Sequence, residues 1–202
     1  NVPKEDIEIS AGVEENLKEY RNIAIFGIDT RENTYSGSRT DCIIIASINQ
    51  NTKEVKLVSV YRDTYLEISK YGLDKVNHAY AYGGAALSMS TLNTNLDLDI
   101  TEFVTVNFDA VIAAVDSLGG VYIDIDSSEI KYINDYIDAT SQSSGIKSSH
   151  ITSTGRQKLD GVQAVAYSRI RYTAGGDYKR TERMRTVVEA MLSKAKTLGV
   201  GQ

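Results

Sequence analysis

The chain has 202 residues, 42% of them apolar and 24% charged, enough for one large soluble domain with an ordinary core. Its net charge of −5 and pI near 5.1 exclude the broad basic face that nucleic-acid binding needs, and no helix-turn-helix pattern is present. One cysteine rules out an internal disulfide, two isolated histidines rule out a histidine-rich metal site, and no run approaches the roughly 20 apolar residues of a membrane span.

Residues 1–20 read as a charged tail and a short helix within Gly12–Tyr20, and residues 21–202 as a single domain. The chain begins at Asn1 rather than methionine, so it reads as a piece of a longer polypeptide and leaves room upstream for an anchor or signal. The apolar run Asn22–Ile28 predicts a buried strand. A second strand at Cys42–Ile48, the turn-forming NQNTKE and a third at Val55–Val60 predict a hairpin. Cys42 opens the run CIIIA, the setting of a buried thiol rather than a nucleophile. Thr64–Ile68 suits a short strand, Lys70–Gly83 a loop, Gly84–Leu96 a helix and Thr101–Val106 a strand. Phe108, Val111, Ile112, Val115 and Leu118 have helical spacing, stopped by Gly119-Gly120, and a strand returns at Val121–Ile125. A helix around Ile130–Ile137, a mobile polar loop over 140–155, a helix Asp160–Ser168 capped by Asp160 and a closing helix Tyr178–Leu198 complete the chain. Strands and helices alternate without internal repeats, which predicts an α/β fold with a mixed central β-sheet flanked by helices.

Charge is unevenly distributed. Ser168–Arg185 carries Arg169, Arg171, Lys179, Arg180, Arg183 and Arg185 against Asp177 and Glu182, a net +4 inside an acidic protein. Guanidinium forks match phosphate or carboxylate oxygens two at a time, so an anion is expected there; the plainer reading is a solvated basic surface. Arg169 and Arg171 alternate as extended chain would place them, on one face. Three other sites echo the segment: GIDTR with Asp29 and Arg31, SRTD with Arg39 and Asp41, and VYRDT with Arg62 and Asp63. Each Asp-Arg couple alone is more often a local salt bridge. If the first two strands pair antiparallel, Asp29 and Asp41 converge, and two carboxylates beside several guanidiniums suit a Mg²⁺-phosphate site.

GIDTR, SRTD, VSVYRDT, KVNHAYAYGG, NFDAVIAAVDSLGGVYIDI, GRQKLDGVQAVAYSRIRY and GDYKRTERMR follow one another over about residues 22–195. In order and spacing this run resembles the LytR–CpsA–Psr family of bacterial cell-envelope proteins. The resemblance implies a Mg²⁺-dependent phosphotransferase of the Gram-positive envelope, with Mn²⁺ as a substitute ion. It would move a glycopolymer, such as teichoic acid or capsule, from a polyprenyl-pyrophosphate carrier onto peptidoglycan. It also implies a single-pass anchor in the cell membrane, with this catalytic domain on the extracytoplasmic side. An apolar lipid-binding tunnel is implied between sheet and helices, walled by 84–96, Phe108–Leu118 and 159–167. Matched by motif, Asp29 and Asp41 would hold the metal. Arg39, Arg62, Arg169 and Arg171 would grip the pyrophosphate and act in catalysis, with Arg31, Lys75, Arg180 and Arg183 in support. A sugar hydroxyl would attack phosphorus directly, its proton passing to Asp63 or to an oxygen of Asp29 or Asp41; no residue constellation suggests a covalent intermediate. Asp177 would orient arginines or serve the fold. Tyr61 stands where the family usually has Pro and Met184 where it usually has Gln, which touches loop shape and acceptor contacts but removes no charge. Two other readings share these residues: a polyprenyl-pyrophosphate phosphohydrolase using water, and a non-catalytic polyprenyl-phosphate-binding regulator.

Overall fold

The computed structural model describes residues 2–28, 37–172 and 176–199, with the Asp177 side chain also outside the description. Among the described residues no helix is long and apolar enough to cross a membrane. The chain divides into two compact units, Asn1–Asn107 and Phe108–Gln202.

The first unit runs α1 (Val13–Asn16), β1 (Tyr20–Ile28), β2 (Thr40–Asn49), β3 (Val55–Ser59), β4 (Tyr65–Ile68), β5 (Gly72–Lys75), α2 (His78–Leu96) and β6 (Glu102–Val106). The main sheet has the order β3-β2-β1-β6; the first two pairings are antiparallel and β6 lies parallel to β1. This is the expected mixed sheet, and the expected hairpin is its β2–β3 pair. Strand alternation buries Asn22, Ala24, Phe26 and Ile28 of β1 on one face. The apolar ones pack with Tyr80, Ala85, Met89 and Leu92 of α2, where Phe26 meets Tyr80 edge-on at 5.5 Å. Burying a side chain such as Phe26 is worth roughly 1.5–3 kcal/mol.

The first ten residues, expected as a tail, are docked on this unit. Ile7 is buried in the same core, Val2 and Ile9 pack against it, and the Glu8 amide donates to Ser90 Oγ at 2.9 Å. Three apolar side chains scattered among charges show no sequence period, yet they suffice to hold the segment. The stretch Lys70–Gly83 is likewise ordered: β5 pairs with β4, and α2 starts at His78. A kink at Gly83 and Gly84 divides α2, and Gly84 (φ 62°, ψ −152°) adopts a conformation open to glycine alone. The predicted helix start at Gly84 is therefore the start of the second helical segment.

The second unit runs α3 (Phe108–Ser117), β7 (Val121–Ile125), α4 (Ile130–Ser144), β8 (Gly155–Leu159), α5 (Gly161–Arg169) and α6 (Gly176–Thr197). β7 and β8 form an antiparallel pair, and Val121, Ile123 and Ile125 point from it into a core with Ile112, Val115, Ile133, Ile137 and Val165. Asp160 caps α5 as expected, in a reciprocal capping box with Gln163. At the next position α5 touches α3 so closely that a Cβ on Gly161 would lie 2.3 Å from the Ile112 carbonyl oxygen. The polar stretch 140–155 is more regular than expected: α4 continues to Ser144, and Gly155 begins β8.

Candidate functional site

Each unit carries one cluster of the predicted site residues. In the first, antiparallel pairing holds one register from Tyr20↔Asn49 to Gly27↔Cys42, then shifts so that Ile28 faces Thr40. Asp41 is the extra residue of this bulge, a device that re-aims a side chain at a strand end. Arg62 Nη1 donates to Asp41 Oδ1 at 2.5 Å, Arg62 Nε lies 3.5 Å from Asp63 Oδ2, and Lys75 Nζ lies 2.7 Å from Asp63 Oδ1. Backbone bonds fix this chain of alternating charge. Thr64 N closes a turn onto Tyr61 O at 2.9 Å, Val76 N donates to Thr64 O at 2.8 Å and Asn77 N to Arg62 O at 3.2 Å. The Arg62-Asp63 turn is thereby clamped to the residues that follow Lys75. The Lys75 ammonium, with Arg62 in support, holds the Asp63 carboxyl below its usual range.

Beside Lys75 lies a group that sequence reasoning missed. Asp74 Oδ2 accepts from Tyr82 Oη at 2.8 Å and pairs with His78 Nδ1 at 2.8 Å, while Oδ1 accepts from the Lys75 amide at 2.7 Å. The bond to His78, then that to Tyr82, pulls the Asp74 carboxyl down to about 2. The charge of Arg39, an exposed side chain just before β2, is felt at the Tyr82 phenol. The available signal was KVNHAYAYGG itself, whose His78 and Tyr82 fall one helical turn apart once α2 begins at His78. Asp29 and Arg31 lie outside the described residues.

In the second unit Arg169 is the last residue of α5 rather than part of an extended segment, because α5 runs one residue past the predicted end. Its guanidinium lies 5.1 Å from the Phe108 ring centroid and 5.3 Å from that of Tyr136, and Nη1 donates to Thr140 Oγ1 at 2.9 Å. Two aromatic faces and one hydrogen bond fix the fork without neutralising it. Ile170, fully buried, anchors the chain, and exposed Arg171 follows.

Arg180 and Arg183 are 2% and 5% exposed. Arg183 Nε donates to Glu129 Oε1 at 2.7 Å, Nη1 donates to the Ile170 carbonyl at 3.1 Å, and the group lies 5.9 Å from the Tyr167 ring centroid. Burial, reinforced by the Glu129 charge, pushes the Tyr167 phenol up to about 12. Phe108, Tyr136, Thr140 and Glu129 were not legible as site residues. They come from α3, α4 and the turn before α4, with no arginine beside them in sequence to mark them.

The model of the LytR_cpsA_psr family matches residues 2–200. The chain belongs to that family. It is 36% identical over 186 residues to the polyisoprenyl-teichoic acid–peptidoglycan teichoic acid transferase TagU of Enterococcus faecalis, covering 91% of this chain and 56% of the relative. The chain thus spans a little over half the length of that relative. Among solved structures it resembles TagT bound to LI-WTA, with TM-score 0.72 and 31% identity over 92% of this chain and 68% of the other. It also resembles the LytR-CPS2A-psr family protein YwtF (TagT) with bound octaprenyl pyrophosphate lipid, with TM-score 0.69 and 29% identity over 89% and 66%.

Within this LytR_cpsA_psr chain, Asp41 is the one predicted metal ligand among the described residues. No group of three or more His, Cys, Asp or Glu side chains among them is placed to hold a metal ion. A partly exposed carboxylate at a bulge, ion-paired with Arg62, still fits Mg²⁺, which commonly takes one or two protein carboxylates and draws its other ligands from substrate phosphate and water.

Proposed function

We propose that this chain is the catalytic part of an envelope phosphotransferase that moves a glycopolymer from a polyprenyl-pyrophosphate carrier onto peptidoglycan. One observation carries the reading: the Asp41–Arg62–Asp63–Lys75 cluster, on a fold similar to that of TagT with octaprenyl pyrophosphate bound. Pyrophosphate is an anion with oxygens on two phosphorus atoms, and the Arg62 guanidinium and Lys75 ammonium, held in place by Asp41 and Asp63, are two fixed donors that suit it. The names of TagU and TagT supply the donor class and the acceptor.

In the proposed reaction a peptidoglycan hydroxyl attacks the phosphorus bearing the glycan. The new O–P bond forms as the bond to the bridging oxygen breaks, and polyprenyl phosphate leaves with that electron pair. Arg62 and Lys75 neutralise the charge that grows on the leaving phosphate, and Arg39, Arg169 and Arg171 are further candidates for anion binding. The hydroxyl proton goes to a carboxylate. Asp63, kept ionised by Lys75, is available for it, and Asp41 is the other candidate. Mg²⁺, or Mn²⁺ in its place, would be held by Asp41 with Asp29 and would withdraw charge from the phosphate oxygens. The lipid would occupy an apolar tunnel, and the domain would work outside the membrane behind a single-pass anchor.

The test mixes purified protein with a polyprenyl-pyrophosphate-linked saccharide and Mg²⁺, with and without peptidoglycan oligomers. Saccharide incorporation into the oligomers, with stoichiometric polyprenyl phosphate, is expected, together with near-complete loss in Asp41→Asn or excess chelator. Release at equal rate without acceptor would replace transferase by phosphohydrolase. Lipid binding without turnover would leave a non-catalytic binder.

A further inference from the structure

A second cavity-bearing region lies within the first unit, apart from the arginine row. A cavity of about 250 Å³ opens between the β4–β5 turn, the kink of α2 and the docked N-terminal segment. Its walls are of three chemical kinds. Tyr71 and Tyr82 contribute an aromatic pair, their rings stacked at 4.4 Å and 14°. Asp6 and Glu8 contribute carboxylates, and Ser69 contributes a hydroxyl.

These walls are fixed beforehand. Lys70 sits at φ 70° in the turn and presents Tyr71 beyond it, 53% exposed. The Tyr82 phenol is tied to Asp74, so its ring cannot turn away. Ser69 Oγ donates to Glu8 Oε1 at 2.8 Å, and the Glu8 amide is held by Ser90, so the N-terminal segment is pinned as the far wall. Gly83 and Leu87 also line the cavity, and a Cβ at Gly83 would meet the Leu87 side chain at 2.6 Å. The stack is itself favourable and holds two partly exposed rings in one arrangement beside polar groups.

We propose that this cavity is a saccharide subsite, taking one pyranose ring of the neutral hexose or N-acetylhexosamine class. A pyranose has an apolar C–H face that matches an aromatic ring and a rim of hydroxyls that donate to carboxylates. The cavity offers both, in a volume of the order of one such ring. The outer face of the Tyr71 ring, backed by Tyr82, takes the C–H face, and Asp6 and Glu8 take hydroxyls. The site connects with the phosphate cluster through Asp74, which fixes Tyr82 on one side and the Lys75 backbone on the other. Which saccharide it holds rests on the phosphotransfer reading, since both the donor polymer and the acceptor glycan carry such rings. Binding itself does not.

The experiment is a titration of isotopically labelled protein followed by amide NMR, with two probes. A phosphate-free β-1,4-linked N-acetylglucosamine tetramer represents the acceptor source, and N-acetylglucosamine 1-phosphate represents the donor source. Shifts confined to residues 6–8, 69–71 and 82–84 are expected with at least one probe. Tyr71→Ala should weaken that binding about tenfold, the size of one well-placed aromatic contact, and Tyr71→Phe should retain it. Glu8→Gln, which leaves the aromatic pair intact, should weaken it several-fold. Loss of sugar-phosphate binding in Arg39→Ala assigns the donor source; tetramer binding indifferent to Arg39→Ala assigns the acceptor. Absence of shifts with both probes, or shifts that survive Tyr71→Ala and Glu8→Gln unchanged, would overturn the subsite while leaving the transferase reading intact. Specific binding in a protein that transfers nothing would do the reverse.

Discussion

Removing the carboxylate of Glu129 should cost far more stability than its distance from the proposed chemistry suggests. Glu129 and Arg183 are both nearly buried, 7% and 5% exposed, and joined at 2.7 Å. Glu129 Oε2 also accepts from the Asp126 amide at 2.9 Å, so the carboxylate closes the turn that starts α4. Glu129→Ala leaves a guanidinium in a desolvated site without its counter-ion, a change that costs about 3–5 kcal/mol. For a chain of this length each kcal/mol moves the midpoint by about 2–4 °C, so a fall of roughly 6–20 °C is expected. Glu129→Gln, which keeps an acceptor but not the charge, should lose less. The double variant Glu129→Met with Arg183→Met should recover much of the loss, because no buried charge is left unpaired. The assay is thermal unfolding by circular dichroism, with urea titration as a check. A Glu129→Ala midpoint within 2 °C of the parent would refute the account of Arg183 as a buried support of the Ile170 carbonyl.

Arg169→Lys keeps the charge but loses the planar fork held between Phe108 and Tyr136 and bonded to Thr140, so turnover should fall by at least tenfold with the midpoint nearly unchanged; unimpaired turnover would mean that charge alone matters. Gly161→Ala should destabilise by about 1–3 kcal/mol in urea unfolding, since the added methyl meets the Ile112 carbonyl oxygen and neither backbone can yield easily. Asp74 should titrate near 2 by carboxyl carbon NMR, and His78→Ala should raise it. Because its folded value lies below the unfolded one, Asp74 contributes stability above about pH 3.8 that is lost as pH falls toward 2; a midpoint at the ordinary carboxylate value would remove that contribution.

Legibility in the sequence followed the source of each element's order. β1, β2 and β7 bury their own apolar residues, β3 follows a turn signal that pairs it with β2, and α3 and α5 carry period or caps, so local pattern sufficed. β8 did not announce itself, because only Leu159 of GRQKL is buried and the strand exists through pairing with β7. The N-terminal segment was missed for a like reason: its anchor, Ile7, stands alone among charges and is held by a core assembled from β1 and α2. The first turn of α2 was hidden by the double glycine, which looks like a helix start and is a kink. At the site, charged residues at strand ends were readable because charge concentrated against an acidic background needs a partner. The aromatic and hydroxyl groups that orient them were not, since Phe108, Tyr136 and Thr140 become neighbours of Arg169 only through packing of α3, α4 and α5.

That difference changes what the basic segment means. Its net charge of +4 suggests a diffuse positive field, and a diffuse field would attract any anion and weaken steadily with salt. The structure offsets part of that charge with carboxylates outside the segment, Glu129 on Arg183 and Glu189 on Arg185 at 3.4 Å, while Lys179 pairs at 2.6 Å with Glu182, which the net charge already counts. The last two pairs are exposed and contribute little, but they cancel charge locally. Arg169 is treated differently, held by ring faces and a neutral hydroxyl that orient it without opposing it. On the proposed reading, selection of a pyrophosphate over other anions comes from the placement of a few guanidiniums rather than from the sum of charges. Raising the salt from about 0.05 to 0.3 M should accordingly weaken substrate binding only modestly, whereas moving the Arg169 fork by deleting Tyr136 should weaken it strongly at every salt concentration.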